Sequence, residues 1–100
     1  MAGVELDHPA TDALRIEDVL AALNHPARLR VVRTLASNDE LTCQEILPDM
    51  TKSSASHHWR MLRESGIVEQ RREGRYLYLR LRKADLDSRF PGLLDAVIKG

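Results

Sequence analysis

Six residues within nine positions, Lys52, Ser53, Ser54, Ser56, His57 and Arg60, are the part of this 100-residue chain best suited to chemistry. The chemistry is recognition rather than bond-making. Short hydroxyls let a backbone come close to a surface, and a guanidinium can fork onto guanine O6 and N7. An ordinary solvated helix face is rich in Glu and Lys, whereas this one carries three serines, one imidazole and one guanidinium. These six side chains read as the DNA-facing side of a recognition helix. Arg60 is the candidate base contact, the serines bond phosphates or bases, and Lys52 contacts the backbone. Arg71, Arg72 and Arg75 follow within fifteen residues and read as backbone contacts that set register.

The element that must carry this face runs from Thr51 to Gly66. Thr51 suits the N-cap, because its hydroxyl can accept from an orphan backbone N–H, and Gly66 suits the left-handed stop. Ala55, Trp59 and Leu62, with His58 beside them, fall at helical spacing and form the opposing apolar stripe. Trp59 therefore reads as core rather than as a stacking residue. Before this helix, Thr42 and Glu45 make a capping box and Leu41 can staple onto Ile46. Pro48 keeps that helix short. A short capped helix, a tight turn and a polar-faced second helix make a helix-turn-helix.

Beyond Gly66 the period changes. Segments 67–72 and 75–81 are β-prone and flank Glu73-Gly74, which predicts a hairpin with Gly where positive φ is wanted. Leu77, Leu79 and Leu81 share one face, Tyr76, Tyr78 and Arg80 the other, and Arg71, Arg72 and Arg75 crowd the tip. A basic tip after a recognition helix is a wing, placed for phosphates or the minor groove.

Toward the N-terminus, residues 1–11 read as a flexible segment and 12–100 as one domain. Ile16, Val19, Leu20 and Leu23 recur at i, i+3, i+4 and i+7, predicting a helix over 12–23. Pro26 suits the first position of a second helix to about Ser37, with Leu29, Val32, Leu35 and Ala36 inward and Arg28, Arg30 and Arg33 outward. Phe90, Leu93, Leu94, Val97 and Ile98 mark a terminal helix. The expected fold is mainly α with a small β-hairpin, a winged helix-turn-helix ordered as four helices, two strands and a helix. The stripe Ile16, Val19, Leu20, Leu23 and the stripe Phe90, Leu93, Leu94, Val97, Ile98 exceed the needs of so small a core. A symmetric homodimer would pack them together; completion of the monomer core is the other use for them.

Net charge is zero, but it is segregated. Residues 52–83 carry nine Lys or Arg against three Glu, and residues 1–51 carry four Arg against nine acids. That is the footprint of a DNA-binding surface in a neutral protein, although basic segments are often only solvated surface. One cysteine excludes an intrachain disulfide and a cysteine zinc finger. No signal-like or membrane-spanning run is present in the sequence, so a cytoplasmic location and no membrane partner are expected. There is no Gly-rich phosphate loop, nucleophile motif or metal triad, so no enzyme activity, cofactor or metal is expected. Asp85 and Asp87 are two apart and do not converge on a helix face. His57 and His58 are adjacent and cannot form an i, i+4 ligand pair; His57 faces DNA and His58 packs beneath the helix. Asp7-His8 could donate ligands across a dimer. Cys43 reads as a small buried hydrophobe, with thiol sensing the alternative.

The chain resembles the ArsR family of bacterial winged-helix repressors over roughly residues 16–82. The resemblance rests on Leu23-Asn24-His25-Pro26-Ala27-Arg28-Leu29-Arg30, on residues 56–68 with Ser56, His58, Leu62-Arg63-Glu64 and Gly66-Ile67-Val68, and on Arg71-Arg72-Glu73-Gly74-Arg75. It implies a homodimer that binds a short inverted repeat in double-stranded DNA, blocks polymerase and loses affinity when an inducer binds. Two departures bear on the inducer. The Cys-x-Cys of many family metal sensors is Thr42 and Gln44 here, with Cys43 between them, and no histidine follows His58 to build the family's terminal-helix metal site. His25 stands where an Asp cap is usual. The inducer is left open among a metal at another site, an oxidant at Cys43, a small organic ligand and none. The alternative is a winged-helix protein-interaction module with weak or no specific DNA binding.

Overall fold

The computed structural model describes residues 4–5 and 7–100. Four helices precede the wing: α1 (Ile16–Leu23), α2 (Pro26–Ala36), α3 (Cys43–Ile46) and α4 (Lys52–Glu64). Two follow it, α5 (Lys83–Arg89) and α6 (Leu93–Lys99). The wing is β3 (Val68–Glu73) and β4 (Tyr76–Leu81), flanked by the two-residue strands β1 (Val4–Glu5) and β2 (Leu41–Thr42) in the order β1-β3-β4-β2, with all pairs antiparallel. The winged helix-turn-helix expected from the sequence is present, and the sheet is larger than a hairpin because one short strand covers each outer edge. Uncovered edges offer a row of unpaired backbone groups, so both strands protect the wing.

The helix signals act as their residue types require. Pro26 opens α2, and His25 Nδ1 accepts from the Ala27 N–H at 3.1 Å, serving in place of a carboxylate cap. Thr42 and Glu45 form the complete capping box of α3, and the Thr51 hydroxyl accepts from Ser54 N–H at 3.3 Å to cap α4. At the other end of α4, Gly66 has φ +87°, its N–H donates to Arg63 O, and Ile67 N–H donates to Leu62 O. This is a Schellman stop, with Leu62 and Ile67 both buried beneath it. At the wing tip Gly74 (φ +61°) and Arg75 form a two-residue connection, with positive φ at Gly74 alone, the pattern of a type II′ turn.

Three features differ from the expectation. The helix predicted over 12–23 is a 3-10 turn at Thr11–Ala13, two extended residues, and then α1. Leu14 leaves helical geometry because its side chain is sunk into the core, 1% exposed. Two helices rather than one follow the wing: the expected terminal helix is α6, which begins only after Pro91-Gly92, where Gly92 takes φ +86°, and α5 precedes it. Within α2, Arg28 lies inward rather than outward. Its Nε donates to Ala22 O at 2.5 Å and its Nη1 meets His58, so two of its nitrogens are hydrogen-bonded where the side chain is buried. Of the segment expected to be flexible, Val4–Glu5 pair with β3, and His8 Nε2 accepts from Gln70 N–H at 2.8 Å; residues 1–3 and 6 lie outside those described.

The core gathers Val31, Val32 and Leu35 from α2, Trp59 and Leu62 from α4, Ile67, Val68, Leu79 and Leu81 from the wing base, and Leu86 and Leu94 from the last helices. Burying each such Leu or Val contributes roughly 1.5–3 kcal/mol. The consequence for function is orientation. With one face of α4 held in this core, the Lys52–Arg60 face can only point outward.

Candidate nucleic-acid interface

Ala55, His58, Trp59 and Leu62 are the buried residues of α4, so the stripe predicted for this helix packs as expected. Lys52, Ser53, Ser54, Ser56, His57 and Arg60 are exposed on the other side. The Ser56 hydroxyl donates back to Lys52 O at 2.8 Å, leaving its lone pairs to accept. Between α4 and the wing lies an open groove of about 520 Å³. Ser53, Ser56, His57, Arg60 and Arg63 line its helix side, Gln70, Arg72 and Leu77 its wing side, with Trp59 at its base. The fold thus brings four of the six helix residues together with one of the three predicted wing arginines.

The other two wing arginines behave differently. Arg75 sits in the turn with its guanidinium 5.7 Å from the centre of the exposed Tyr76 ring. Arg71 points to the opposite side of the sheet. It makes two bonds to the Glu40 carboxylate, at 2.7 and 3.2 Å, a further ion pair with Glu73, and lies over the Tyr78 ring at 4.5 Å. Hydrogen bonds to these carboxylates push its pKa further above the ordinary guanidinium value. A cation already paired with two carboxylates is a poor phosphate ligand. Strand alternation accounts for the split: Arg71 and Arg72 necessarily face opposite sides.

Arg63 and Gln70 line the groove and were not singled out in the sequence. Arg63 had a signal, since Ser56, Arg60 and Arg63 follow i, i+4, i+7 and share a face. Gln70 had one too, because it alternates with Val68 onto the inward side of β3.

Beneath the reading face, His58 is 7% exposed, with Nδ1 3.2 Å from Arg28 Nη1. The guanidinium can only donate, so Nδ1 accepts and the neutral ring carries its proton on Nε2. Burial, then His25, Arg28 and His57, hold its pKa below the usual 6.5. Cys43 is partly buried, and burial pushes its thiol up to about 12, so it is protonated and a weak nucleophile at neutral pH. Among the described residues no three His, Cys, Asp or Glu side chains are grouped to hold a metal, and no helix is long and apolar enough to cross a membrane. Asp85 has a structural role. It accepts from Thr11 Oγ1 at 2.7 Å and from Arg82 Nε at 2.9 Å, and the two bonds lower its pKa.

The predicted dimer stripes divide. Val19, Leu23 and Leu94 are buried within one chain. Ile16 and Leu20 are 40% and 51% exposed, and Phe90, Leu93, Val97 and Ile98 are half-buried at the edge of the core.

A model of a helix-turn-helix domain matches residues 23–71. The uncharacterized HTH-type transcriptional regulator YceK of Bacillus subtilis (strain 168) is 34% identical over 89 residues, which are 86% of this chain and 88% of YceK. The crystal structure of the transcriptional repressor BigR from Xylella fastidiosa superposes with a TM-score of 0.65 at 31% identity, covering 84% of this chain and 83% of BigR. A possible transcriptional regulator for arsenical resistance superposes with a TM-score of 0.64 at 33% identity, covering 79% of this chain and 82% of that one.

Proposed function

This chain belongs to the ArsR family of winged helix-turn-helix transcriptional regulators, and we propose that it acts as a homodimeric repressor, reading an inverted repeat with α4 and gripping the flanking backbone with the wing. The observation that carries this reading is the α4 face itself. It exposes Lys52, Ser53, Ser54, Ser56, His57 and Arg60 without a single carboxylate among them, beside a groove that adds Arg63 and Arg72. In the proposed complex Arg60 contacts a base, the serines and His57 contact base edges or phosphates, and Lys52, Arg72 and Arg75 hold the backbone.

Two-fold symmetry fits the exposed Ile16 and Leu20 on α1, which lie on one face and have no partner in the core of one chain. A dimer through this face, extended by the half-buried rim of α6, would set two recognition helices about 34–36 Å apart, one turn of DNA. Repression is supported by the likeness to BigR, a transcriptional repressor. Release by an inducer belongs to the same proposal. The raised pKa of the Cys43 thiol disfavours an oxidant there and leaves a metal at another site, a small organic ligand or no inducer. A cytoplasmic location follows from acting on DNA.

The test is fluorescence anisotropy with DNA from upstream of the protein's own coding region and a scrambled duplex, across a salt series. Tight binding confined to the first duplex, with log K falling steeply against log salt, is the expected result. Equal weak binding to both, together with a heteromeric complex in a pull-down, would replace the repressor by the protein-interaction module. Sedimentation of wild type and Leu20→Glu checks the dimer, which the charge should dissociate.

A further inference from the structure

The residues of β3 alternate between faces, and the inward set is Val68 followed by Gln70. Gln70 is 2% exposed and lies across the ladder from Leu79, which is fully buried. An amide is an unfavourable choice for such a position. An apolar side chain would bury at a gain, whereas Gln70 Nε2 has no hydrogen-bond partner in this structure. What the amide does make is one bond to the recognition helix: Oε1 accepts from Arg63 Nη1 at 3.1 Å. Arg63 stands in the last turn of α4, three residues beyond Arg60, and its own Nε is buried without a partner. The neighbouring Glu64 carboxylate is 4.0 Å away and mostly exposed. The bond between Arg63 and Gln70 is therefore the directional contact joining these two side chains across the groove. The backbone N–H of Gln70 is engaged too, by His8 Nε2, just beyond the pairing of Glu5 with Arg71.

We propose that Gln70 is a positioning residue for DNA recognition, whose bond to Arg63 fixes the angle between α4 and the wing. The proposal rests on the repressor reading above. A rigid duplex must be met at two places at once, by Arg60 on the helix and by Arg72 and Arg75 on the wing. Apolar packing of Trp59 against the wing base is non-directional and permits sliding, while a hydrogen bond to a charged donor admits one geometry. A buried, half-satisfied amide lowers stability and specifies orientation in return.

The experiment compares Gln70→Leu, which removes the acceptor at similar volume, with Gln70→Glu, which keeps it. Each full-length variant is titrated with the duplex that wild type selects from a random pool and with its scrambled form, across salt. For Gln70→Leu the ratio of selected to scrambled affinity should fall about tenfold or more, because the helix and wing lose register, while the salt slope stays that of wild type. For Gln70→Glu that ratio should remain within about threefold of wild type, since any added repulsion of phosphates weakens both duplexes together. If Gln70→Leu melts early, Gln70→Met removes the same acceptor with an unbranched side chain and the same ratio is read. An unchanged ratio in Gln70→Leu, or an equal loss in Gln70→Glu, overturns the positioning role. A wild type that selects no duplex from the pool overturns the repressor reading instead, and the positioning role with it.

Discussion

Gly66 is the residue at which a single added methyl group should disturb the reading head most. It closes α4 at φ +87° and hands the chain directly to the wing. A Cβ built there would lie 2.0 Å from Leu14 Cδ2 and 3.1 Å from Leu14 Cγ. Leu14 is 1% exposed, so it has little room to retreat. Gly66→Ala therefore meets two penalties. The left-handed backbone costs about 1–2 kcal/mol for a residue with a Cβ. Forcing a methyl group into the packed Leu14 contact costs about 1–3 kcal/mol more. The sum, about 3 kcal/mol, is a large part of the roughly 5–15 kcal/mol that holds a domain of this size. It should lower Tm by about 12–24 °C at fixed protein concentration. Circular dichroism melts of wild type, Gly66→Ala, Leu14→Ala and the double variant supply the assay. Because Leu14→Ala removes the clashing atoms, the double variant should be less destabilised than the sum of the singles by about 1–3 kcal/mol. A Tm for Gly66→Ala within about 4 °C of wild type, or strict additivity, would refute the steric reasoning.

Three further outcomes follow from the same geometry. Arg60→Ala should weaken the cognate site by about 1–3 kcal/mol and relax preference at one base pair; cognate binding like wild type would show that Arg60 does not reach a base. Arg72→Ala and Arg75→Ala should each reduce the slope of log K against log salt by about one unit, whereas Arg71→Ala, whose cation Glu40 and Glu73 already neutralise, should leave it unchanged. An Arg71→Ala slope as shallow as that of Arg75→Ala would mean that the Glu40 pairing yields to DNA. Stability should fall on acidification through His58. Its folded pKa lies below 6.5, so the unfolded chain takes the proton first; the contribution of the neutral ring is complete above about 6.5 and is lost as pH falls from there through the lowered value. Melting curves from about pH 7.5 to about pH 5 should show a steeper fall for wild type than for His58→Gln, and parallel curves would contradict it.

The local signals in this chain were legible because they depend on neighbours in sequence. Thr42 with Glu45, Thr51 with Ser54, Pro26 and Gly66 each act within a few residues, and each does in the structure what its type predicts. The same holds for the face of α4, since a 3.6-residue period assigns Trp59 and Leu62 to the core and Arg60 to solvent before any tertiary contact is known. Short strands carried no such signal. Val4–Glu5 and Leu41–Thr42 are two residues long, too short for a period, and are strands only because β3 and β4 present edges to pair with. Helix α5 buries only Leu86, which leaves no stripe to detect.

Which charges are available for DNA was decided by tertiary structure alone. The sequence determined that this chain has a recognition helix whose polar face holds no carboxylate from Lys52 to Arg60, and a basic wing, because periodicity and turn chemistry are local properties. It could not separate Arg71, paired with Glu40 thirty-one residues away, from Arg72 in the groove, nor tell that Arg28 is buried against His58. Nor could it show that Val19, Leu23 and Leu94 are consumed by one chain's core while Ile16 and Leu20 remain outside it. Ion pairing and burial depend on which distant segments meet, and only the packed fold brings them together.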